Sequence, residues 1–400
     1  MMNKLAVIGV GSAGIQSLCH SLAWLDKSWE IYSIHSPKIP ISGIGESTNP
    51  RFLDALGYGL DFLLHRDLSD INGTLKFGTK YTDWRKEPFY NPLLNGNLAI
   101  HFDTSILAKW AIPRFKKIWN NKFKIIEGVV TDIRNEISCV SIEVNDKTYE
   151  FDHVIDCSGS PNIDNENYFK PKVLLNACLV HNIEGGSGNP IENTGHIATP
   201  DGWMFRVPLA NRISYGYLFN DTITPLNTAK RNFSKQIDVP GDKLQGIEYF
   251  FEPYVLREVT KGRITQNGNA AVFFEPMFAN SLFLYDTINR VTLDRITDNM
   301  PIDAANEIFL QDAKRIFNTI AFHYLGGSTY STTFWEYAKN WGKEVIKESP
   351  GFESYLKELG TYTKSIDGWS SALKINDTWA GAFPPIGMRD ISRNLEYNYL

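Results

Sequence analysis

A doubly wound α/β fold with a β-rich middle and a helical C-terminal part is predicted by three observations. An apolar N-terminal strand runs straight into Val7–Leu18, VIGVGSAGIQSL, where Gly9, Gly11 and Gly14 open a helical pattern. Strand-like runs then alternate with polar loops across residues 160–265. From about Leu282 the periodicity is mostly helical, broken at Gly326-Gly327-Ser328-Thr329 and around Ser349-Pro350-Gly351. A chain of 400 residues has room for about two or three structural units, and 43% hydrophobic with 21% charged residues describes an ordinary globular protein.

The glycine turn has the form of a Rossmann-type dinucleotide site. Gly9 allows the tight turn, Gly11 lets backbone approach a pyrophosphate, and Gly14 lets the helix pack closely on the strand. Ser12 and Ala13 begin that helix, whose free N–H groups would face the phosphates. A close-packed turn without ligand is the competing reading. Trp29–Ser36 reads as the second strand, and its end should lie near the adenosine ribose. His35 stands there, 21 residues beyond Gly14, where a carboxylate is usual. It is read either as a ribose neighbour or as a surface or core histidine.

Several classes are disfavoured. The net charge of -5 gives no general field for nucleic acid or an anionic membrane, and the basic run 114–124 reads as the solvated side of a helix end. Cys19, Cys139, Cys157 and Cys178 lack CxxC spacing, which suggests neither a metal site nor a disulfide framework but buried thiols in a reducing compartment. The N-terminal apolar run is too short for a signal peptide, and no segment is long enough to span a bilayer, so a cytoplasmic protein is expected.

Next in order, Lys38–Pro50 (KIPISGIGESTNP) is too rich in Gly, Ser, Thr and Pro for regular structure. Lys76 stands eight residues before Trp84, and His101-Phe102-Asp103 follows, with Asp103 a good N-cap for a helix kinked or ended near Pro113. This ordered series of GxGxxG, GxGExTxP, Lys before Trp and HFD resembles the flavin-dependent tryptophan halogenases. The segment Arg85–Ile100 is short beside theirs, which by resemblance shortens the substrate lid.

Beyond it, three β-rich runs from Phe123 to Ile155, turning at Asn135-Glu136 and Asn145-Asp146-Lys147, form a meander feeding the strand Val154–Asp156. Val130 matches the family's adenine-contacting position. Gly202–Pro208, GWMFRVP, resembles the family's GWxWxIP, and equally suits a strand with aromatic core residues. Asn267–Pro276, NGNAAVFFEP, resembles the second flavin signature, with Asn269 where an aspartate is usual. Its amide can still hydrogen-bond a ribityl hydroxyl. The resemblance implies FAD rather than NAD, bound by Gly9, Gly11, Ser12, Ala13, Gly14, His35, Gly45, Glu46, Ser47, Val130, Gly268, Asn269 and Leu282. The implied architecture is an FAD-binding fold of the flavin monooxygenase type: residues 1–160 with 262–300 as the FAD unit, 161–261 as a β-rich substrate layer, and 301–400 as the helical part. Thr333-Phe334-Trp335 matches a position near the family's aromatic substrate pocket, and serves as well as a core aromatic pair.

The resemblance also implies the chemistry. Reduced FAD from a separate flavin reductase, with O2 and chloride, bromide or iodide, gives a hypohalous species that a lysine guides to a small aromatic substrate. Lys76 matches that lysine, although any single lysine is more often a solvated charge. Burial would lower its pKa towards a neutral amine, and Lys80 serves as a control. The family's EPLESTG becomes Glu275-Pro276-Met277-Phe278-Ala279-Asn280-Ser281, so its second carboxylate is replaced by Phe278. The halide site, formed in the family by backbone N–H groups, maps to Asn280 and Ser281. A more open site for activated aromatics such as phenols or pyrroles is expected. The alternatives are an FAD monooxygenase or oxidoreductase on the same scaffold, turning over without halide, and a flavin-binding protein without catalysis. No metal or nucleic-acid partner is expected, and the sequence leaves a homo-oligomer open.

Overall fold

The computed structural model describes residues 2–41, 46–93, 97–159, 161–186, 188–363 and 385–396. It divides into two compact units: Met1–Thr74 with Ala99–Pro171 and Tyr254–Gln311, and Leu75–Leu98 with Lys172–Pro253 and Asp312–Leu400.

The first unit is built on a six-stranded sheet. Asn3–Ile8 lies at its heart, parallel to Trp29–His35 on one side and to His153–Asp156 on the other. Phe123–Glu127 extends it beyond the former, and Ile264–Gln266 beyond the latter. A parallel sheet must be covered on both faces. One cover is the antiparallel meander Val130–Asn135, Val140–Val144, Lys147–Phe151, which turns between its last two strands through Asn145 and Asp146, both with positive φ. Val140, Ile142, Val144 and Phe151 form a buried cluster with Ala6, Ile8, Ile34 and Val154 of the sheet. Helices Ser12–Trp24, Pro50–Leu60, Thr104–Ile118 and Asn280–Asp298 also belong to this unit.

The second unit is a seven-stranded sheet with a helical covering. Its strands run in the order Ile247–Phe250, Ala177–Glu184, Arg212–Phe219, Gly202–Pro208, Thr194–Thr199, Gly78–Thr82, Phe89–Pro92. All neighbours are antiparallel except Thr194–Thr199 and Gly78–Thr82. Thr333–Lys347 is fastened to this unit by its indoles: Trp335 Nε1 donates to the Thr199 carbonyl at 2.7 Å, and Trp341 Nε1 to that of Lys172 at 3.0 Å.

Three local expectations change. The helix opened by Asp103, whose carboxylate accepts from Ser105 N–H at 3.1 Å, runs through Pro113 to Ile118. Pro113 and Lys109 are both exposed, so the ring and the turn it disturbs lie on the solvent side of the helix, where water can satisfy a freed carbonyl. Within the stretch expected to be sheet and loop, Leu226–Gln236 is a helix. Its one-sided burial explains this: Ala229 and Phe233, four residues apart, seat it on Met204, Tyr217 and Phe219. Residues 75–98, expected with the FAD unit, group with the second unit because Gly78–Thr82 and Phe89–Pro92 are strands of its sheet.

Candidate active site

The glycine turn sits at the carboxyl end of Asn3–Ile8, beside the ends of Trp29–His35 and His153–Asp156, the edge of a parallel sheet where nucleotides bind. The three glycines are required for different reasons. Gly9 has φ +91, and a Cβ there would meet the Cys157 carbonyl oxygen at 2.6 Å; a Cβ on Gly14 would meet the Gly9 oxygen at 2.1 Å. A Cβ on Gly11 would meet nothing within 4 Å. Gly11 thus opens on free space at the start of Ser12–Trp24, a helix with no side-chain cap and no acid in its first turn. A bare positive helix end beneath an open cradle fits a pyrophosphate, and so fits FAD.

The late signature is brought against this turn. Gly268, at φ +68, would place a Cβ 2.8 Å from that of Ala13. Asn267 Nδ2 donates to Ser17 Oγ at 3.2 Å and to Asn289 Oδ1 at 3.0 Å, tying signature, first helix and the helix Asn280–Asp298 together. Exposed Asn269 is held by two tyrosines: Tyr285 Oη donates to its Oδ1 at 2.8 Å and Tyr254 Oη to its carbonyl at 2.7 Å. That arrangement presents the Nδ2 group as a donor. Neither tyrosine lies in a sequence motif, and Asn267 opens the second flavin signature without having been given a role of its own.

His35 ends its strand with Nδ1 3.0 Å from Ser33 Oγ, and burial lowers its pKa. In register beside it is Glu127, an exposed carboxylate that strand spacing alone could not have located. Glu46 is engaged structurally, accepting from Thr104 N–H at 3.1 Å at the start of a helix, and Ser47 pairs with His101. Val130 begins the meander and packs on its core. Leu282 is buried, its carbonyl 3.4 Å from Gln16 Nε2. Gly45 lies outside the described residues.

Lys76 belongs to the second unit. Leu75 is pinned on both sides, its N–H donating to Pro190 O at 2.8 Å and its carbonyl accepting from Glu192 N–H at 3.0 Å. The adjoining lysine is only 3% exposed, and burial brings its ammonium pKa from 10.5 to about 7. Lys80, by contrast, is exposed. Trp84, fully buried, anchors the segment against Tyr81 at 5.9 Å, Trp335 at 5.4 Å and Tyr324 at 5.8 Å. Thr333-Phe334-Trp335 thus supplies a core ring at Trp335. Two further buried bases share this surrounding. His196, in register with Tyr81, has its imidazole held well below the usual range by burial and by the charges of Lys76 and His323. His323 Nδ1 donates to the Thr319 carbonyl, 2.6 Å away, and burial brings its pKa to about 4.

In the first unit, the stretch replacing EPLESTG is strained. Phe278 has φ 63 and Ala279 φ 57, left-handed values that cost an L-residue about 1–2 kcal/mol each. The helix Asn280–Asp298 follows with no side-chain cap. The Asn280 backbone N–H, expected to face halide, is instead donated to the Met277 carbonyl. This correction follows from the tight turn at Met277–Ala279, whose geometry closes on Asn280. Ser281, one residue further on, is half-buried in the first turn of that helix.

Comparison with known proteins settles the family. The tryptophan halogenase family model matches residues 4–124 and 93–350. The chain belongs to the tryptophan halogenase family. It is a flavin-dependent halogenase with the mixed α/β FAD-binding fold. Tryptophan 6-halogenase ThaL of Streptomyces albogriseolus is 20% identical, over 84% of this halogenase and 78% of the relative. Two solved structures share the fold: a tryptophan halogenase from Shewanella frigidimarina (TM-score 0.80, 16% identity, 99% and 89% of the two chains) and a flavin-dependent halogenase from Xanthomonas campestris (TM-score 0.72, 16% identity, 100% and 96%).

Proposed function

We propose that this halogenase takes reduced FAD from a separate flavin reductase and uses it with O2 and chloride, bromide or iodide to halogenate a small electron-rich aromatic through Lys76. The observation that carries the proposal is the burial of Lys76 with its pKa near 7. Reduced FAD, when bound, would supply two of the four electrons that O2 takes up, the other two coming from the halide, which is thereby oxidised to a hypohalous species while the second oxygen leaves as water. The glycine turn with its bare helix end would hold the pyrophosphate, Asn269 Nδ2 would donate to the ribityl chain, and Glu127 beside His35 would supply the carboxylate for the ribose. Lys76, as a neutral amine, binds the electrophilic halogen and presents it to the ring, while its buried setting excludes bulk water.

Phe278 and the short segment Arg85–Ile100 favour substrates already activated, phenols or pyrroles, over free tryptophan: a phenyl ring cannot steady the charge that develops on a less reactive indole carbon. We place the enzyme in the cytoplasm, where Cys19, Cys139, Cys157 and Cys178 stay reduced; all four are free thiols, and no described helix is long and apolar enough to cross a membrane.

Mass spectrometry of products from purified protein, FAD, a flavin reductase and each halide with a panel of phenols and indoles tests the proposal. Halogenated product is expected only with halide and is lost in Lys76→Ala, while Lys80→Ala retains it. Oxygenated product without halide would favour a monooxygenase, and exclusive turnover of free tryptophan would overturn the substrate class.

A further inference from the structure

Asn280 is 1% exposed, yet neither its Oδ1 nor its Nδ2 has a hydrogen-bond partner among the described residues. Buried amides are almost always satisfied, and an exception points to a bound species that completes them. This one stands at the first position of a 19-residue helix that has no side-chain cap and no acid in its first turn. The positive pole there is therefore not neutralised from within its own helix. A helical Cα–Cβ bond tilts towards the N-terminus, so the carboxamide is carried towards the mouth where the free N–H groups point. The two left-handed residues before it, Phe278 and Ala279, impose this entry, and strain of that kind is kept where it serves a site.

We propose that the Asn280 carboxamide is itself a halide ligand, with Nδ2 donating to the anion alongside the Ser281 backbone N–H. It takes the part that the Asn280 backbone N–H, already given to Met277, cannot play. The inference rests on the halogenase reading above and assigns a side chain to its anion site. A carboxamide turns about χ1 and χ2, so this donor follows the radius of the anion, which a fixed backbone donor cannot do.

The test separates anion binding from turnover. The melting temperature of the purified protein is followed against sodium bromide and sodium iodide at constant ionic strength, with gluconate replacing halide. The bromide KM and kcat are measured in the reductase-coupled assay. Wild type should show saturable stabilisation. Asn280→Ala should weaken the apparent halide affinity about tenfold, the effect of one hydrogen bond to an anion, and raise KM more than it lowers kcat. Asn280→Asp, isosteric but carrying a negative charge, should weaken it further. Asn280→Ser, small and polar, guards against misfolding of either variant. Without halide, Asn280→Ala should melt no lower than wild type, whereas a purely structural asparagine would lower the melting temperature at every halide concentration. Equal halide affinity in wild type and Asn280→Ala, or no halide stabilisation of wild type, overturns the proposal. Halide binding that depends on Asn280 without any halogenated product leaves it standing and overturns the halogenase reading instead.

Discussion

At the scale of single residues, Lys76 carries a pH dependence whose direction follows from its burial. Between pH 7 and 10.5 the unfolded lysine holds a proton that the folded one has released, so stability rises with pH across that window. Below about pH 7 both states are charged, and the folded chain bears the full penalty of a buried ammonium. Lys76→Met should therefore raise the melting temperature at pH 6–7, with the gain shrinking towards pH 10; a constant difference across that range would contradict the buried charge. Halogenation by wild type should climb through a midpoint near pH 7 as the amine loses its proton, measured as product formed at saturating halide. The spacing from Lys76 to Trp84 singled this lysine out in the sequence, but its burial was not legible there, since even the neighbouring Leu75 takes its backbone partners, Pro190 and Glu192, from far along the chain. His196 and His323 were equally hidden, since a lone histidine in a strand or a helix carries no motif. Asn280 was half legible, because the resemblance to EPLESTG pointed to the position but could not reveal that Met277 takes its backbone N–H.

Among the elements, the glycine turn separates folding from binding. Gly14→Ala sets a Cβ against the Gly9 carbonyl and should destabilise the protein by about 2–3 kcal/mol. Gly11→Ala meets no protein atom and has φ -66, a value open to alanine, so it should leave the melting temperature almost unchanged while weakening FAD binding at least about tenfold. Flavin fluorescence titration beside thermal melts checks the pair; equal losses in both variants would mean that Gly11 is structural. Such turns are readable because their mechanism is local. The helix Leu226–Gln236 was not, since only two of its residues, Ala229 and Phe233, are buried, and the surface that covers them comes from strands elsewhere in the chain. Pro113 was legible only in part: local chemistry argued for a kink or an end, and at an exposed position the helix continues past it to Ile118.

On the scale of the whole molecule, the order of motifs revealed the FAD fold, while the grouping of residues 75–98 with the second unit depended on a pairing no local pattern announces. The cysteines give a simple global expectation. Cys19 and Cys178 are buried, with their thiols raised above the usual range, and none of the four is paired. Dithiothreitol should leave the melting temperature within about 1 °C of its value without reductant, and a larger fall would reveal a bridge in solution. The parallel pairing of Gly78–Thr82 with Thr194–Thr199 has its own consequence during synthesis. When the ribosome has delivered Lys76, the partner for the adjoining strand does not yet exist, and the lysine waits in water until residues near 199 emerge. A nascent chain halted before that point should therefore leave this amine open to acylating reagents, and one released after the full sheet has closed should protect it.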